Sequence, residues 1–230
     1  MTSRPIYDTP LSNPSDVSLP LSSTCSTTLL SSSAHSPRSP FRLDLFSQKI
    51  ALVTGGSSGI GLEITRQLAL HGCTVLICGR RQSVLDSAVE ALNNELKHEC
   101  VYGVQADVRS YIDASKIAKL IENKFNKLDI LINCAAGNFL VAAEDLSSNG
   151  FRTVMEIDAL GTFNFSRACF SLLKQSGNSC IINITATLHR YATWYQVHAS
   201  AAKAAVDSVT RSLALEWGEF GIRVNGVAPG

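Results

Sequence analysis

The chain has 230 residues, 45% of them hydrophobic and 17% charged, with a formal net charge of +1. That length and composition describe a globular α/β domain with a substantial core. The near-neutral balance excludes nucleic acid or an anionic membrane as the main partner, since both need a basic excess, and no apolar run approaches the roughly 20 residues that span a bilayer.

Residues 1–40 hold twelve serines and six of the seven prolines, with Asp8 and Asp16 as their only acids. Such a segment buries too little apolar surface to offset its ordering entropy, so a disordered Ser/Pro-rich extension is expected. It is Ser-rich and acid-poor like some organelle transit peptides, yet it has few arginines and little amphipathic pattern. A plain extension or a mis-assigned start is the preferred reading.

From Phe41 onward, short apolar runs alternate with helix-period segments. Strands are expected at 50–54, 74–78, 101–105, 130–133, 180–184 and 223–227, and helices at 60–71, 83–96, 111–125, 150–174 and 199–220. This alternation predicts β-α-β units and a doubly wound parallel sheet of Rossmann type, one domain over 41–230. Ligands on such a sheet sit at the carboxyl ends of the strands. The seven cysteines (Cys25, Cys73, Cys78, Cys100, Cys134, Cys169 and Cys180) form no C-x-x-C pair and mostly lie in apolar runs, which reads as reduced thiols in a reducing compartment. The five histidines show no metal-ligand spacing, so no metal site is expected.

The first strand runs into T-G-G-S-S-G-I-G at 54–61 and then a helix. Gly55, Gly59 and Gly61 permit a tight turn and close approach of the backbone to a pyrophosphate, while Ser57, Ser58 and Ile60 sit where the helix N-terminus presents free N–H groups to phosphate. The second strand ends in Cys78-Gly79-Arg80-Arg81, with no acid for a ribose 2′-hydroxyl; Arg80 and Arg81 suit a 2′-phosphate, so the expected cofactor is NADPH. After the third strand, Asp107 is placed to accept the adenine amino group, with Val108 beside it. After the fourth, Asn133, Ala135 and Ala136 let the backbone lie along the cofactor ribose. The chain stops at Pro229-Gly230, directly after the sixth strand, where a doubly wound sheet normally continues with a helix and a closing strand; a truncated sequence is expected.

These residues resemble the short-chain dehydrogenase/reductase family. The resemblance is carried by T-G-x3-G-I-G at 54–61, N-x-A-G-like 133–137, Lys203 early in a helix, and Arg223-Val224-Asn225 leading to Pro229 and Gly230; it covers about residues 45–230. It implies that Pro229, Gly230 and Lys203 contact the cofactor. The family's usual proton donor is a tyrosine four residues before the lysine; here that position is Ala199, and the usual serine position is Ala186. The usual asparagine position is Asp158. The departure is similar to the branch of the family that uses NADPH to reduce 2,4-dienoyl-CoA to 3-enoyl-CoA in peroxisomal breakdown of unsaturated fatty acids, with 138–150 and 188–196 most similar to its plant-type members.

The chemistry fits the missing tyrosine. Conjugate reduction puts hydride on Cδ and a proton on Cα, so no carbonyl oxygen needs direct protonation, and a positioned water with an oxyanion site suffices. By resemblance, Asp158 holds that water and Lys203 binds the nicotinamide ribose. Phe139 is expected against the acyl chain or thioester, and Arg109, Ser148 and Asn149 match positions that touch the CoA moiety. Tyr191, Trp194 and Tyr195 are at no known acid position and read as loop aromatics beside the acyl pocket; His198 reads as a packing residue. The resemblance also implies a peroxisomal location and a homo-oligomer, a tetramer at full length. Two alternatives stay open: another NADPH-dependent enoyl or oxoacyl reductase of the family, and a non-catalytic NADPH-binding module.

Overall fold

A computed structural model describes residues 39–229. Six strands form one parallel sheet: β1 (Ile50–Thr54), β2 (Thr74–Gly79), β3 (Val101–Gln105), β4 (Ile130–Asn133), β5 (Ser179–Ile184) and β6 (Ile222–Val227), in the order β3-β2-β1-β4-β5-β6. The chain direction across the sheet reverses between β1 and β4, and that reversal opens a crevice at their carboxyl ends.

The central strands are near-continuous apolar runs because both sheet faces are covered. Along β1, Ile50 and Leu52 join the core shared with α3 (Tyr111–Phe125), α5 (Gly161–Ala168), α6 (Phe170–Ser176) and α7 (Val197–Trp217), while Ala51 and Val53 join the core under α1 (Gly59–Leu70) and α2 (Gln82–Leu96). Coverage is thinner over β5 and β6: on the α1 side of the sheet Cys180, Ile182 and Ile184 are partly buried, and Arg223 and Asn225 are exposed.

The strands fall where the apolar runs placed them; β2 extends to Gly79, and β5 and β6 begin one residue earlier, at Ser179 and Ile222. The fourth interstrand helix departs from expectation. It begins at Ser148, because Ser147 is its N-cap and accepts from Gly150 N–H at 3.0 Å. It is α4 (Ser148–Met155), then a π turn (Glu156–Leu160), then α5, with a break at Cys169 before α6. Gly161 lies so close to the 108–109 turn that a Cβ there would sit 2.8 Å from the Val108 side chain. Asn164 Nδ2 donates to the Val108 and Arg109 carbonyls at 3.1 and 3.2 Å, fixing the helix below the widened turn.

At the amino end of the sheet, Asp129 closes the fold. Its carboxylate accepts from Lys49 Nζ and the Ile50 N–H at 2.9 Å each, from Ser176 Oγ at 2.8 Å, and from Lys127 Nζ at 3.1 Å. Burial pushes Asp129 up, but these donors outweigh it and hold the carboxyl below its usual range. The expected extension lies outside the described residues except at Ser39 and Pro40. Ser39 does not fit it: the side chain is buried and its Oγ lies 2.9 Å from Nε2 of His71, at the end of α1.

Candidate active site

The crevice between β1 and β4 is a cleft of about 500 Å³. Its floor is the glycine turn after β1. Gly55 has φ +68°, and a Cβ there would lie 2.9 Å from the Ala135 Cα; a Cβ on Gly61 would lie 2.4 Å from the Gly55 carbonyl oxygen. Only backbone fits in both places, so the turn and the post-β4 segment approach each other and leave room for a ligand between them and β2. Ser58 is the N-cap of α1, but its side chain makes no capping bond and the first turn carries no acid. Among the described residues the first N–H groups of this twelve-residue helix therefore have no side-chain cap, and Ser58, Ile60 and Gly61 bring that end of the helix to the cleft, a site for a phosphate. This cradle fits a dinucleotide pyrophosphate.

Most of the predicted cofactor residues meet here. Gly55, Ser57, Ser58, Ile60, Gly61, Arg80, Arg81, Asp107, Val108, Ala135, Ala136, Lys203 and Pro229 all line the cleft. Gly59 is exposed on the turn (φ +53°) and shapes it from outside, and Gly230 lies outside the described residues. The Asn133 side chain is buried and does not line the cleft, with Nδ2 donating to Asn183 Oδ1 at 2.8 Å and to Ser166 Oγ at 3.1 Å, so any part it takes in the site is through its backbone. Asn183 Nδ2 in turn donates to Thr210 Oγ1 at 2.8 Å, so this ladder ties β4 and β5 to α5 and α7 rather than to a ligand.

Asp107 and Arg109 are locked together. Arg109 Nε lies 3.0 Å from both carboxylate oxygens, Nη2 is 2.5 Å from Oδ2, and the Arg109 N–H also donates to Oδ1 at 3.0 Å. Burial pushes Asp107 up, but the Arg109 bonds outweigh it and hold the carboxyl below its usual range, with Arg80 adding a smaller pull. The structure thus places Arg109 on Asp107 at the cleft wall, where it forms a guanidinium–carboxylate plate.

Asp158 stands on the π turn and is buried. Its Oδ1 accepts from the Gly137 N–H at 2.7 Å, and its Oδ2 meets Lys203 Nζ at 3.0 Å. Lys203 also donates to the Ile184 carbonyl at 3.0 Å. An ammonium has three N–H donors; two are spent on this mount, and the third is left to the cleft that Lys203 lines. Asp158 itself does not line the cleft, and its side chain is 1% exposed. The carboxylate expected to hold a water instead reaches the cleft through Lys203. At the tyrosine position, Ala199 is buried and brings no hydroxyl; Ala186 lines the cleft.

The expected substrate contacts are scattered. Phe139 is 43% exposed, its ring 4.4 Å from the His198 ring. His198 is fully buried, and neither ring nitrogen has a hydrogen-bond partner among the described residues. Ser148 and Asn149 are exposed in the first turn of α4 and do not line the cleft. Several site residues were missed. Thr54 Oγ1 accepts from the Cys134 and Ala135 N–H groups at 3.0 and 3.1 Å, pinning the post-β4 segment to the glycine turn. Its place as the last residue of β1, before the first glycine, was a usable signal. Gly79, Ala106, Cys134, Ile157, Ile184 and Thr185 complete the wall, mostly through strand ends whose side chains carry no distinctive chemistry. Burial pushes the Cys134 thiol up, with Lys203 pulling weakly the other way.

The sequence matches the short chain dehydrogenase family over residues 49–230. The chain belongs to that family, whose fold implies a nicotinamide cofactor. It is 55% identical over 201 residues to the peroxisomal 2,4-dienoyl-CoA reductase [(3E)-enoyl-CoA-producing] of Arabidopsis thaliana, covering 84% of this chain and 67% of that protein. The rat protein of the same name is 45% identical over 187 residues, covering 81% of this chain and 64% of that protein. The chain thus spans about two thirds of the length of these curated relatives. Among solved structures, a short chain dehydrogenase from Bacillus anthracis superposes with a TM-score of 0.74 at 41% identity, covering 80% of this chain and 76% of that one.

Proposed function

We propose that this protein is an NADPH-dependent reductase that converts a 2,4-dienoyl-CoA to the 3-enoyl-CoA in the oxidation of unsaturated fatty acids, and that it works in peroxisomes. The observation that carries the reading is a pair of facts at one place. The Lys203–Asp158 ion pair is built and buried at 3.0 Å, while the hydroxyl a ketone reductase needs is absent at Ala199. The names of the relatives supply the substrate class and the compartment.

When bound, the nicotinamide supplies hydride. The chain's own residues do the rest. The free α1 amides and the glycine turn bind the pyrophosphate, and Arg80 and Arg81 take the 2′-phosphate. Asp158 and the Ile184 carbonyl orient the Lys203 ammonium. The one N–H left to the cleft binds the nicotinamide ribose, the positive charge steadies the negative charge that spreads to the thioester oxygen as hydride reaches Cδ, and a water in the cleft delivers a proton to Cα. Asp158 is a positioning residue in this scheme: it acts through Lys203. The Asp107–Arg109 plate stands at the adenine end of the cleft. The working form is a homo-oligomer, supported by the half-exposed Leu160 and Phe163 on the α4–α5 helix.

The test is direct. Purified protein mixed with NADPH and 2,4-hexadienoyl-CoA consumes NADPH with formation of the 3-enoyl product, and 3-oxoacyl-CoA is left unreduced. NADPH binding without any turnover would instead favour a non-catalytic module, and rapid reduction of a 3-oxoacyl-CoA would overturn the reading.

A further inference from the structure

Two segments leave the cleft wall side by side. One follows Ala135 and Ala136 and runs through Asn138, Phe139 and Leu140; the other follows Thr185 and Ala186 and runs through Tyr191 to Val197. They are tied to each other. The Val141 N–H donates to the Tyr195 carbonyl at 3.1 Å, and Asn138 Nδ2 donates to Gln196 Oε1 at 2.5 Å. The backbone at Tyr195 has φ +63°, a left-handed conformation that costs a bulky residue on the order of 1–3 kcal/mol and persists only where surroundings impose it.

These ties hold up an unusual surface. Leu140, Tyr191 and Trp194 are 71%, 73% and 84% exposed, and the Trp194 and Tyr195 rings stand 6.1 Å apart. One exposed apolar side chain means nothing. Several large ones, on two tied segments that open directly from a ligand cleft, form a binding surface. Neither 138–142 nor 191–197 contains a charged residue, and with the exposed Arg190 adjoining only at the Tyr191 end, the ledge itself is an uncharged apolar surface.

We propose that this aromatic ledge, with Trp194 at its outer end, receives the distal part of the fatty acyl chain of an acyl-CoA and sets a preference for long chains. The proposal rests on the acyl-CoA reading above. Both segments start at residues of the cleft wall, Ala136 and Ala186, so with the reacting end of the substrate by Lys203 the apolar tail is carried out along them to the ledge.

The protein carries its own reporter. It has two tryptophans, and Trp217 packs against Phe170 at 4.9 Å, so Trp194 supplies the water-exposed indole signal. With NADP⁺ present and acyl-CoA below its micelle concentration, tetradecanoyl-CoA should shift the tryptophan emission to the blue and saturate. Butanoyl-CoA and free CoA should not. Trp194→Phe should lose the shift and Trp217→Phe should keep it. Trp194→Ala should weaken tetradecanoyl-CoA binding about tenfold, the order expected for uncovering one large apolar contact, and leave butanoyl-CoA within about twofold. Binding of tetradecanoyl-CoA by calorimetry with unchanged indole emission overturns the ledge while leaving the acyl-CoA reading intact. Absence of binding by any acyl-CoA overturns both. A shift with phosphatidylcholine vesicles and none with acyl-CoA makes the surface a lipid contact and overturns the proposal.

Discussion

The two ends of the sheet each hold a buried aspartate facing lysine, and they use it differently. At the amino end, Asp129 meets Lys49 and Lys127, whose side chains are 39% and 37% exposed. At the carboxyl end, Asp158 meets Lys203, whose side chain is 12% exposed. The Asp129 lysines keep much of their hydration, and the carboxylate is shared among four donors, so that cluster is a clasp for the strand ends and α6. The Lys203 ammonium has little water to fall back on and depends on Asp158 and one carbonyl. The same pair of residue types is a staple where the cation is wet, and a loaded chemical group where it is dry.

Removing each acid separates the two roles. Asp158→Ala leaves a nearly buried ammonium uncompensated, a loss of about 3–5 kcal/mol in such settings. It should lower dienoyl-CoA turnover by roughly two to three orders of magnitude, with weaker NADPH binding by titration. Asp129→Ala should cost about 2 kcal/mol in urea denaturation through lost hydrogen bonds, with the NADPH dissociation constant unchanged. Equal damage to NADPH binding from both variants would mean the ends are not independent.

The Asp129 clasp also has a pH signature. Its folded pKa lies below the unfolded value, so its stabilisation is fully present above the ordinary carboxylate value of about 3.9 and is lost as pH falls through the lower folded value. Asp129→Asn should flatten that acid limb in thermal melts between about pH 2 and 5.

Smaller effects test the rest of the carboxyl end. The double variant Arg80→Ala with Arg81→Ala should weaken NADPH about ten- to a hundredfold and leave NADH affinity unchanged, since only the 2′-phosphate is lost as a partner. An equal loss for both cofactors would remove the arginines from the 2′-phosphate site. Thr54→Val should cost about 1 kcal/mol in urea denaturation by leaving the Cys134 and Ala135 N–H groups without their shared acceptor.

The strands were legible because each central one is apolar on both faces and bounded by helix-period segments. The glycine turn was legible for the same reason: a strand-end motif has a fixed place in such a sheet. Other features depend on partners far away in sequence. Asn133 sits at the right strand end, yet Asn183 and Ser166, 50 and 33 residues on, draw its side chain inward. Arg109 reads as a contact to the CoA moiety, and the residue letters do not report that Asp107, two residues earlier, holds its guanidinium at both oxygens. Lys203 and Asp158 were singled out by resemblance, but the Ile184 carbonyl and Gly137 amide that mount them are backbone atoms, which no residue letter reports.

The widened turn at Glu156–Leu160 is invisible to periodicity, since one extra residue in a turn barely disturbs an apolar stripe. Its position lets one turn hold a residue that the regular helix would not. Deleting a single residue there would restore the regular ladder of the helix and leave α5 close to its present phase, because the wide turn already absorbs the extra residue. Phe165 and Ser166, both buried, would stay on the core face, while Asp158, inside the turn, would lose its place beside Lys203 and the Gly137 amide. Core and chemistry are therefore separable along this helix: a one-residue change of length erases the site and spares the packing on either side.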